Sequence, residues 1–131
     1  MFVARGVDAR SALRGNGMRL ITSAEYGFLC RVARAAGKSS DDVGLSAEAM
    51  VEPLRDCGMG SLRFVDPARD GSERRLGEVF AEGAFTDCDG VPVSFSVNLD
   101  DHGVLFELDL LRVDFKALQS LPSDNEGVTI S

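Results

Sequence analysis

The sequence predicts an α+β domain, an antiparallel meander of about five strands with one main N-terminal helix packed on one face. Three observations lead to this class. Apolar and polar residues alternate in several segments between residues 49 and 115, as they do in half-buried strands. Residues 22–37 instead carry apolar residues at helical spacing. The chain has 131 residues and no internal repeat, which suits a single domain with its own core.

The helix is predicted to begin after Thr22. Thr22 and Glu25 have the spacing of a capping box, in which each side chain binds the backbone N–H group of the other residue. Gly37 is predicted to end the helix, because glycine adopts the left-handed backbone of a C-terminal cap at low cost. The apolar stripe that we expect to pack on the sheet comprises Tyr26, Phe28, Leu29, Val32, Ala33 and Ala36.

Three strands are predicted between the helix and the central hairpin. Residues 38–47 are polar and predict a loop or a second short helix. Strands follow at residues 49–54, 59–65 and 76–86. Pro53 indicates that the first of them lies at a sheet edge, because proline cannot donate a ladder hydrogen bond. The third strand is predicted to bury Val79, Ala81 and Phe85 on one face.

The central hairpin is the clearest pattern in the sequence. Residues 91–99 alternate strictly, which predicts an antiparallel strand with one buried face and one face open to water. Turns that end in Gly90 and Gly103 precede this strand and the next one. The returning strand changes phase at Leu110 and Leu111, so we predict a bulge or the strand end there. Before that point its apolar face comprises Phe106, Leu108 and Leu110.

Two segments flank the predicted domain, which spans residues 18–122. Residues 1–17 contain three arginines and one aspartate, unlike the acidic remainder, and we interpret them as a poorly ordered N-terminal extension with Met18 as an alternative start. The turn or short helix expected at residues 116–122 is followed by residues 123–131, a polar C-terminal tail that we expect to fray.

Composition and charge exclude several function classes. The formal net charge is -7, whereas a nucleic-acid-binding protein needs clustered lysine and arginine. No apolar run approaches the roughly 20 residues that a membrane-spanning helix needs. Cys30, Cys57 and Cys88 lack the paired spacing of a metal site and predict reduced, mostly packed thiols in a cytoplasmic protein. We expect no cofactor.

A cysteine–histidine catalytic pair is not expected. His102 is the only histidine, and it lies at the opposite end of the strand 91–99 from Cys88. That strand separates the two residues by about 30 Å, whereas proton transfer needs about 3 Å.

The predicted hairpin gathers charged side chains on its polar face and at one end. A surface of one charge sign steers an oppositely charged partner, so our leading interpretation is a binding surface for a basic protein. This predicted surface comprises Asp87, Asp89, Glu107, Asp109, Arg112 and Asp114.

The alternative interpretation is a metal site formed by Asp87, Asp89 and Asp114. Mg²⁺, Mn²⁺ and Ca²⁺ prefer clustered oxygen ligands, and an enzyme that uses one of them would need such carboxylates. The segment 87–90 lacks the later acidic ligands of a calcium loop, so the motif itself is weak. A small-molecule sensor has no supporting feature in the sequence.

Several short motifs resemble a family of small bacterial domains of unknown function. The resemblance spans most of residues 18–122 and implies a shared fold and a bacterial origin, without an activity. In that family an aromatic–lysine pair often precedes the Val-Asp-Phe motif, whereas this chain has Leu111-Arg112. The matching motifs are Leu20-Ile21-Thr22-Ser23-Ala24-Glu25, Gly58-Met59-Gly60-Ser61-Leu62, Asp87-Cys88-Asp89-Gly90-Val91-Pro92-Val93, Leu105-Phe106-Glu107-Leu108-Asp109 and Val113-Asp114-Phe115.

We therefore expect a non-enzymatic cytoplasmic binding protein whose acidic sheet face engages a basic protein partner. An immunity or antitoxin-like role is one concrete version, by analogy with other small acidic bacterial proteins. The metal-dependent enzyme is the second hypothesis.

Overall fold

The computed structural model describes residues 17–69, 73–123 and 128–131, which form an antiparallel sheet with a helix on one face. Residues 1–16, on which most of the predicted N-terminal extension falls, lie outside the described residues. The elements are β1 (Arg19–Leu20), α1 (Ser23–Ala35), α2 (Ser40–Val43), β2 (Met50–Pro53), β3 (Leu62–Phe64), β4 (Leu76–Thr86), β5 (Pro92–Asp100), β6 (Leu105–Arg112) and β7 (Thr129–Ile130).

The sheet is larger than the predicted meander of about five strands. In the described part of the chain it has seven strands in the order β1-β2-β3-β6-β5-β4-β7. β4, β5 and β6 form a meander, but β6 then pairs with β3, so the sheet joins two separate parts of the chain. β1 and β7 have two residues each, which is too short for an alternation pattern to reveal. β7 lies within the tail that was expected to fray and pairs with β4.

Helix α1 begins and ends as predicted. The Thr22 hydroxyl accepts the Glu25 N–H at 3.1 Å, and the Glu25 carboxylate accepts the Thr22 N–H at 2.9 Å, which completes the capping box. The helix is capped at Ala36, and Gly37 follows with φ of +82°. The short helix expected after α1 is present as α2.

Helix α1 covers the apolar face of the central hairpin. The ring of Phe28 is fully buried and meets the rings of Phe85 and Phe95 edge to face, at centroid distances of 5.6 and 5.2 Å. Val97 is buried on the same sheet face, whereas Ser94 on the other face is exposed. The predicted assignment of the two faces of this strand is therefore confirmed at these positions. We call the sheet face opposite α1 the open face.

Two bulges in β4 move one predicted core residue out of the core. The register shifts between Leu76 and Glu78 and again between Val79 and Ala81. Val79 consequently lies opposite Asn98 and is half exposed, although the alternation pattern placed it in the core with Ala81. Each bulge adds one residue to one strand only, and one residue is enough to turn the following side chains to the other face.

The bulge predicted in β6 is in a different place. Pairing between β5 and β6 runs without interruption through Leu110 and Leu111, so no bulge lies there. The alternative prediction, a strand end near these residues, is confirmed, since β6 ends at Arg112. The register shift lies opposite Asn98 and Leu99, where Phe106 is the extra residue. The guanidinium groups of Arg63 and Arg74 lie over the Phe106 ring at 4.6 and 4.9 Å, so this ring does not share the apolar face of Leu108 and Leu110 as predicted.

The uninterrupted end of β6 determines where two residues point. Leu111 lies opposite Ser94 on the open face and is 45% exposed. Arg112 lies opposite Val93 on the helix-covered side and is buried. A charged residue therefore occupies a position that the predicted phase change had assigned to the polar face.

The first predicted strands also differ in detail. β2 is not an edge strand, because β1 pairs with it through Met50 and Val51, but Pro53 lies beyond the end of β1. β3 is shorter than predicted, since Gly58 and Gly60 both have positive φ and form a turn. Residues 116–122 form no helix.

Candidate functional site

Arg112 and three carboxylates form a tight cluster at one end of the hairpin. Its Nη1 donates to Asp87 at 2.8 Å and to Asp89 at 2.9 Å. Its Nη2 donates to Asp89 at 2.8 Å and to Asp114 at 3.0 Å, and its Nε donates to Asp114 at 2.8 Å. All five N–H donors of the guanidinium are therefore used. We call these four residues the Arg112 cluster.

The charged groups of the Arg112 cluster shift one another's pKa values. The hydrogen bonds that Arg112 donates to Asp114 and Asp89 raise the pKa of Arg112. The guanidinium in turn lowers the pKa of Asp114 to about 2 and also lowers the pKa of Asp89. Burial alone would raise the pKa of Asp87, but backbone N–H groups and Arg112 outweigh it and lower that pKa. The cluster is consequently charged at neutral pH.

Asp87 also ties the segment after β6 to the hairpin. Its carboxylate accepts the backbone N–H groups of Gln119 at 2.8 Å and Ser120 at 3.0 Å, and that of Cys88 at 2.7 Å. The Asp87 side chain is completely buried. Its lone pairs are used within the fold, which leaves this carboxylate a structural role.

The geometry disfavours a metal ion at the three predicted ligands. Asp87, Asp89 and Asp114 converge on the Arg112 guanidinium, which supplies the positive charge that a cation would supply. Nowhere in residues 17–69, 73–123 and 128–131 do three or more histidine, cysteine or acidic side chains form a group that could hold a metal ion.

The two remaining predicted carboxylates differ in their partners. Glu107 forms an ion pair with Arg63 of the neighbouring strand, with Nε of Arg63 donating at 2.8 Å. Asp109 accepts a hydrogen bond from the amide of Asn98 at 3.0 Å, and it makes no ion pair with the described residues. Of the five carboxylates in the predicted partner surface, Asp109 is thus the one that contacts no cation among the described residues.

Asp109 lines a groove on the open face of the sheet. The groove has a volume of about 440 Å³ and crosses β4, β5 and β6. A second carboxylate, Glu82, lies on the same face opposite Ser96, and like Asp109 it has no ion-pair partner in the part of the chain that is described. We call this feature the open-face groove, and its lining includes Glu82, Ser94, Ser96, Asp109, Leu111 and Ser131.

Glu82 is absent from the predicted surface, although a signal for it existed. The residue lies in the polar phase of the predicted strand 76–86, between Ala81 and Gly83. Counting back from the hairpin turn places it opposite Ser96, because β4 pairs with β5 without interruption from Thr86 to Ala81.

A second ion-pair cluster lies at the opposite end of the hairpin and was not predicted. Asp100 is buried and accepts Arg74 Nε at 2.9 Å and the backbone N–H groups of His102 at 2.8 Å and Val104 at 3.0 Å. Arg69 pairs with the same carboxylate. Burial would raise the pKa of Asp100, but the hydrogen bonds to Val104, Arg74 and the other donors lower it to about 2. We call Asp100, Arg69 and Arg74 the Asp100 cluster.

A small cavity of about 80 Å³ adjoins the Asp100 cluster beside Phe106. Its size is that of a few water molecules, each of which occupies about 30 Å³ in the liquid. The local pattern predicted Asp100 only as a turn residue, because its partners Arg74 and Arg69 lie in a hydrophilic loop 26 and 31 residues earlier in the chain.

The cysteines and the histidine form no catalytic arrangement. Cys88 lies in the hairpin turn and His102 in the turn at the far end of β5, and both are exposed. Cys57 is also exposed, in a left-handed turn with φ of +62°, so the prediction of mostly packed thiols is wrong. Cys30 is half-buried, and all three thiols are free.

Comparison with known proteins gives one match. A family model described as "Domain of unknown function (DUF6984)" matches residues 18–122. No curated protein and no solved structure matches the chain. Among the described helices, none has the length and apolar character that crossing a membrane requires.

Proposed function

Because the chain belongs to the DUF6984 family of domains of unknown function, we propose its function from its geometry: a non-enzymatic binding domain that engages a basic partner protein through the open-face groove. This proposal keeps Asp109 of the predicted surface, adds Glu82, and centres the contact on the middle of the sheet instead of on the Arg112 cluster. The proposal shares its partner class with the sequence-based prediction and differs in the residues that make contact.

One observation carries the proposal. Glu82 and Asp109 both line the groove, and neither is paired with a cation among the described residues. The carboxylates of the Arg112 cluster, by contrast, share a guanidinium that uses all its donors. A lysine or arginine of a partner would therefore gain most at the groove, where no described cation already contacts the two carboxylates.

The net charge of the whole chain supports the same class of partner. The net charge of -7 attracts a basic protein over a longer range than the groove itself, and this attraction raises the rate of encounter. Ser94 and Ser96 add hydroxyl groups, which both donate and accept hydrogen bonds, to the groove lining. A basic toxin is one partner of this kind, so the immunity or antitoxin-like role remains a version of the proposal.

Charge reversal in the groove tests the proposal. Affinity capture from a lysate of the source organism should enrich a basic protein on the wild-type domain. The double variant Glu82→Lys and Asp109→Lys should weaken this binding at least about tenfold, since two attractive contacts become repulsive. The measurement is quantitative mass spectrometry followed by titration of the captured protein.

The matched control is the double variant Asp41→Lys and Glu48→Lys. Both residues are exposed and lie outside the groove, so the change in net charge is identical. The control should retain the partner at reduced encounter rate. Equal loss in both variants, or capture of chaperones alone, would refute the groove as the binding site.

The metal-dependent enzyme makes a different prediction. If Asp87, Asp89 and Asp114 hold a cation, then millimolar Mg²⁺, Mn²⁺ or Ca²⁺ should release heat in calorimetry and raise the melting temperature. We expect neither effect, because the Arg112 guanidinium donates to all three carboxylates and occupies the place between them that a cation would take. A saturable heat signal that disappears in Asp89→Asn would favour the enzyme instead.

A further inference from the structure

Three exposed apolar residues follow one another at the end of β6. Leu111, which lines the open-face groove, is 45% exposed, Val113 is 57% exposed and Phe115 is 64% exposed. β6 ends at Arg112, but the Val113 N–H still donates to the Pro92 carbonyl at 3.1 Å, so Val113 continues the line of Leu111. Phe115 follows in the turn that its N–H closes on the Arg112 carbonyl, and its Cα lies at most about 14 Å from that of Leu111. We call these three residues the apolar ridge.

Phe115 has an unusual backbone as well as an exposed ring. Its φ is +60°, in the left-handed region that a bulky side chain rarely adopts. A left-handed conformation at a residue other than glycine is strained, and strain of this kind tends to occur where a protein binds a ligand. Nothing in the packing of the core requires a phenylalanine here, because most of the ring faces solvent.

The Arg112 cluster holds the apolar ridge in place. The Phe115 N–H donates to the Arg112 carbonyl at 2.9 Å, and the Lys116 N–H donates to the Asp114 carboxylate at 3.1 Å. Asp114 itself is fixed by two hydrogen bonds from Arg112. The exposed ring is consequently presented on an ordered backbone, which lowers the entropy that a partner must overcome on binding.

The charge around the ridge favours one kind of occupant. Asp89 and Asp114 are partly exposed, and the Arg112 cluster has three carboxylates for one guanidinium. A second copy of this chain would bring another strongly acidic surface against them, and like charges in an interface cost binding energy. A basic segment with apolar residues complements both the charge and the ridge.

We propose that the apolar ridge is the hydrophobic anchor site for the basic partner, taking apolar side chains of a partner segment in which basic and apolar residues alternate. The inference rests on the proposed function and adds to it a preference for partner segments that carry apolar side chains. The groove takes the basic side chains, and the ridge selects the segment by its apolar ones. Exposed aromatic residues on a rigid backbone are the type that dominates many protein interfaces.

The test uses two hexapeptides of equal charge, acetyl-(Arg-Leu)₃-amide and acetyl-(Arg-Ser)₃-amide, titrated into the full chain and followed by NMR. The wild-type chain should bind the Arg-Leu peptide at least about tenfold more tightly than the Arg-Ser peptide. Phe115→Gly should remove this difference and leave the affinity for the Arg-Ser peptide unchanged. Leu20→Ser, which changes a residue of similar exposure on β1, is the matched control and should alter neither affinity.

The stability of Phe115→Gly separates a binding role from a structural one. Glycine accepts a positive φ without strain, so the melting temperature of this variant should stay equal to that of the wild type or rise. A clear fall in the melting temperature would mean that Phe115 stabilises the fold and would overturn the proposal.

The remaining outcomes distinguish the two proposals. If both peptides bind equally and only Glu82→Lys with Asp109→Lys weakens them, the anchor site is refuted and the proposed function stands. If neither peptide binds the wild-type chain, both proposals fall. If the wild-type chain self-associates in sedimentation and Phe115→Gly does not, the ridge belongs to a contact between two copies, and the anchor site is again refuted.

Discussion

Replacing Arg112 with methionine is expected to lower the free energy of unfolding by about 3–5 kcal/mol. The substitution keeps an unbranched apolar stem but removes the guanidinium, and it leaves the completely buried Asp87 carboxylate without its cationic partner. An uncompensated buried charge costs far more than the pair itself contributes. Small domains have only about 5–15 kcal/mol of stability, so a loss of this size removes a large fraction of it.

Urea denaturation at pH 7 measures this effect, and a second substitution identifies its cause. Asp87→Asn in the Arg112→Met background removes the buried charge and should recover part of the lost stability. Arg19→Met serves as the control, because Arg19 forms an ion pair with Glu25 at the surface and should cost at most about 1 kcal/mol. A loss below about 1 kcal/mol in Arg112→Met, or no recovery in the double variant, would contradict this account of the cluster.

Asp100→Asn is expected to have an effect of similar size, about 3–5 kcal/mol at pH 7. The Arg74 guanidinium is almost completely buried, and its Nε donates to Asp100 while its two other nitrogens donate to the carbonyl groups of Phe64 and Leu105. Asparagine retains an acceptor oxygen but no charge, so Arg74 would remain buried without its carboxylate. Chemical denaturation at pH 7 measures the loss.

The pH dependence gives a second signature of Asp100. Its pKa is about 2 in the folded protein and 3.8 as an unperturbed group, so the folded state binds this proton less readily. The stabilisation is therefore fully present above about pH 4 and is lost as the pH falls through 2. Since one pKa unit corresponds to about 1.4 kcal/mol, the wild type should lose about 2–3 kcal/mol from this group over that range.

The difference between the two stability curves isolates this contribution. Other carboxylates, including Asp114, also titrate at low pH and contribute to both proteins. The curve of Asp100→Asn should consequently be flatter than that of the wild type between pH 4 and pH 2. Parallel curves would show that Asp100 has an ordinary pKa in the folded protein.

Local chemistry explains which parts of the fold were predictable. The capping box of Thr22 and Glu25 involves neighbours in the sequence, and so does the alternation of residues 91–99, and both predictions are confirmed. Val79 and Phe106 were misplaced because a bulge depends on the partner strand. The two-residue strands β1 and β7 exist only through their pairing with β2 and β4, and no local pattern marks them.

The candidate site was likewise predictable in part. The hairpin turn and the returning strand indicated that Asp87, Asp89, Arg112 and Asp114 meet, and the structure brings them together. What the sequence did not indicate is the direction of Arg112, because the predicted change of phase placed it on the polar face. Arg112 is therefore a buried support for the three carboxylates and not an exposed residue of that surface.

The pairing of β3 with β6 has a consequence for how the chain is made. Arg63 and Glu107, which face each other across this pair, are 44 residues apart, so the first half of the sheet leaves the ribosome long before its partner strand. Until β6 emerges, β3 presents a bare edge to other nascent chains, and slow synthesis or a pause in this interval would favour misassembly. Conditions that lengthen translation between these two strands should therefore reduce the yield of native protein more than pauses placed after β6.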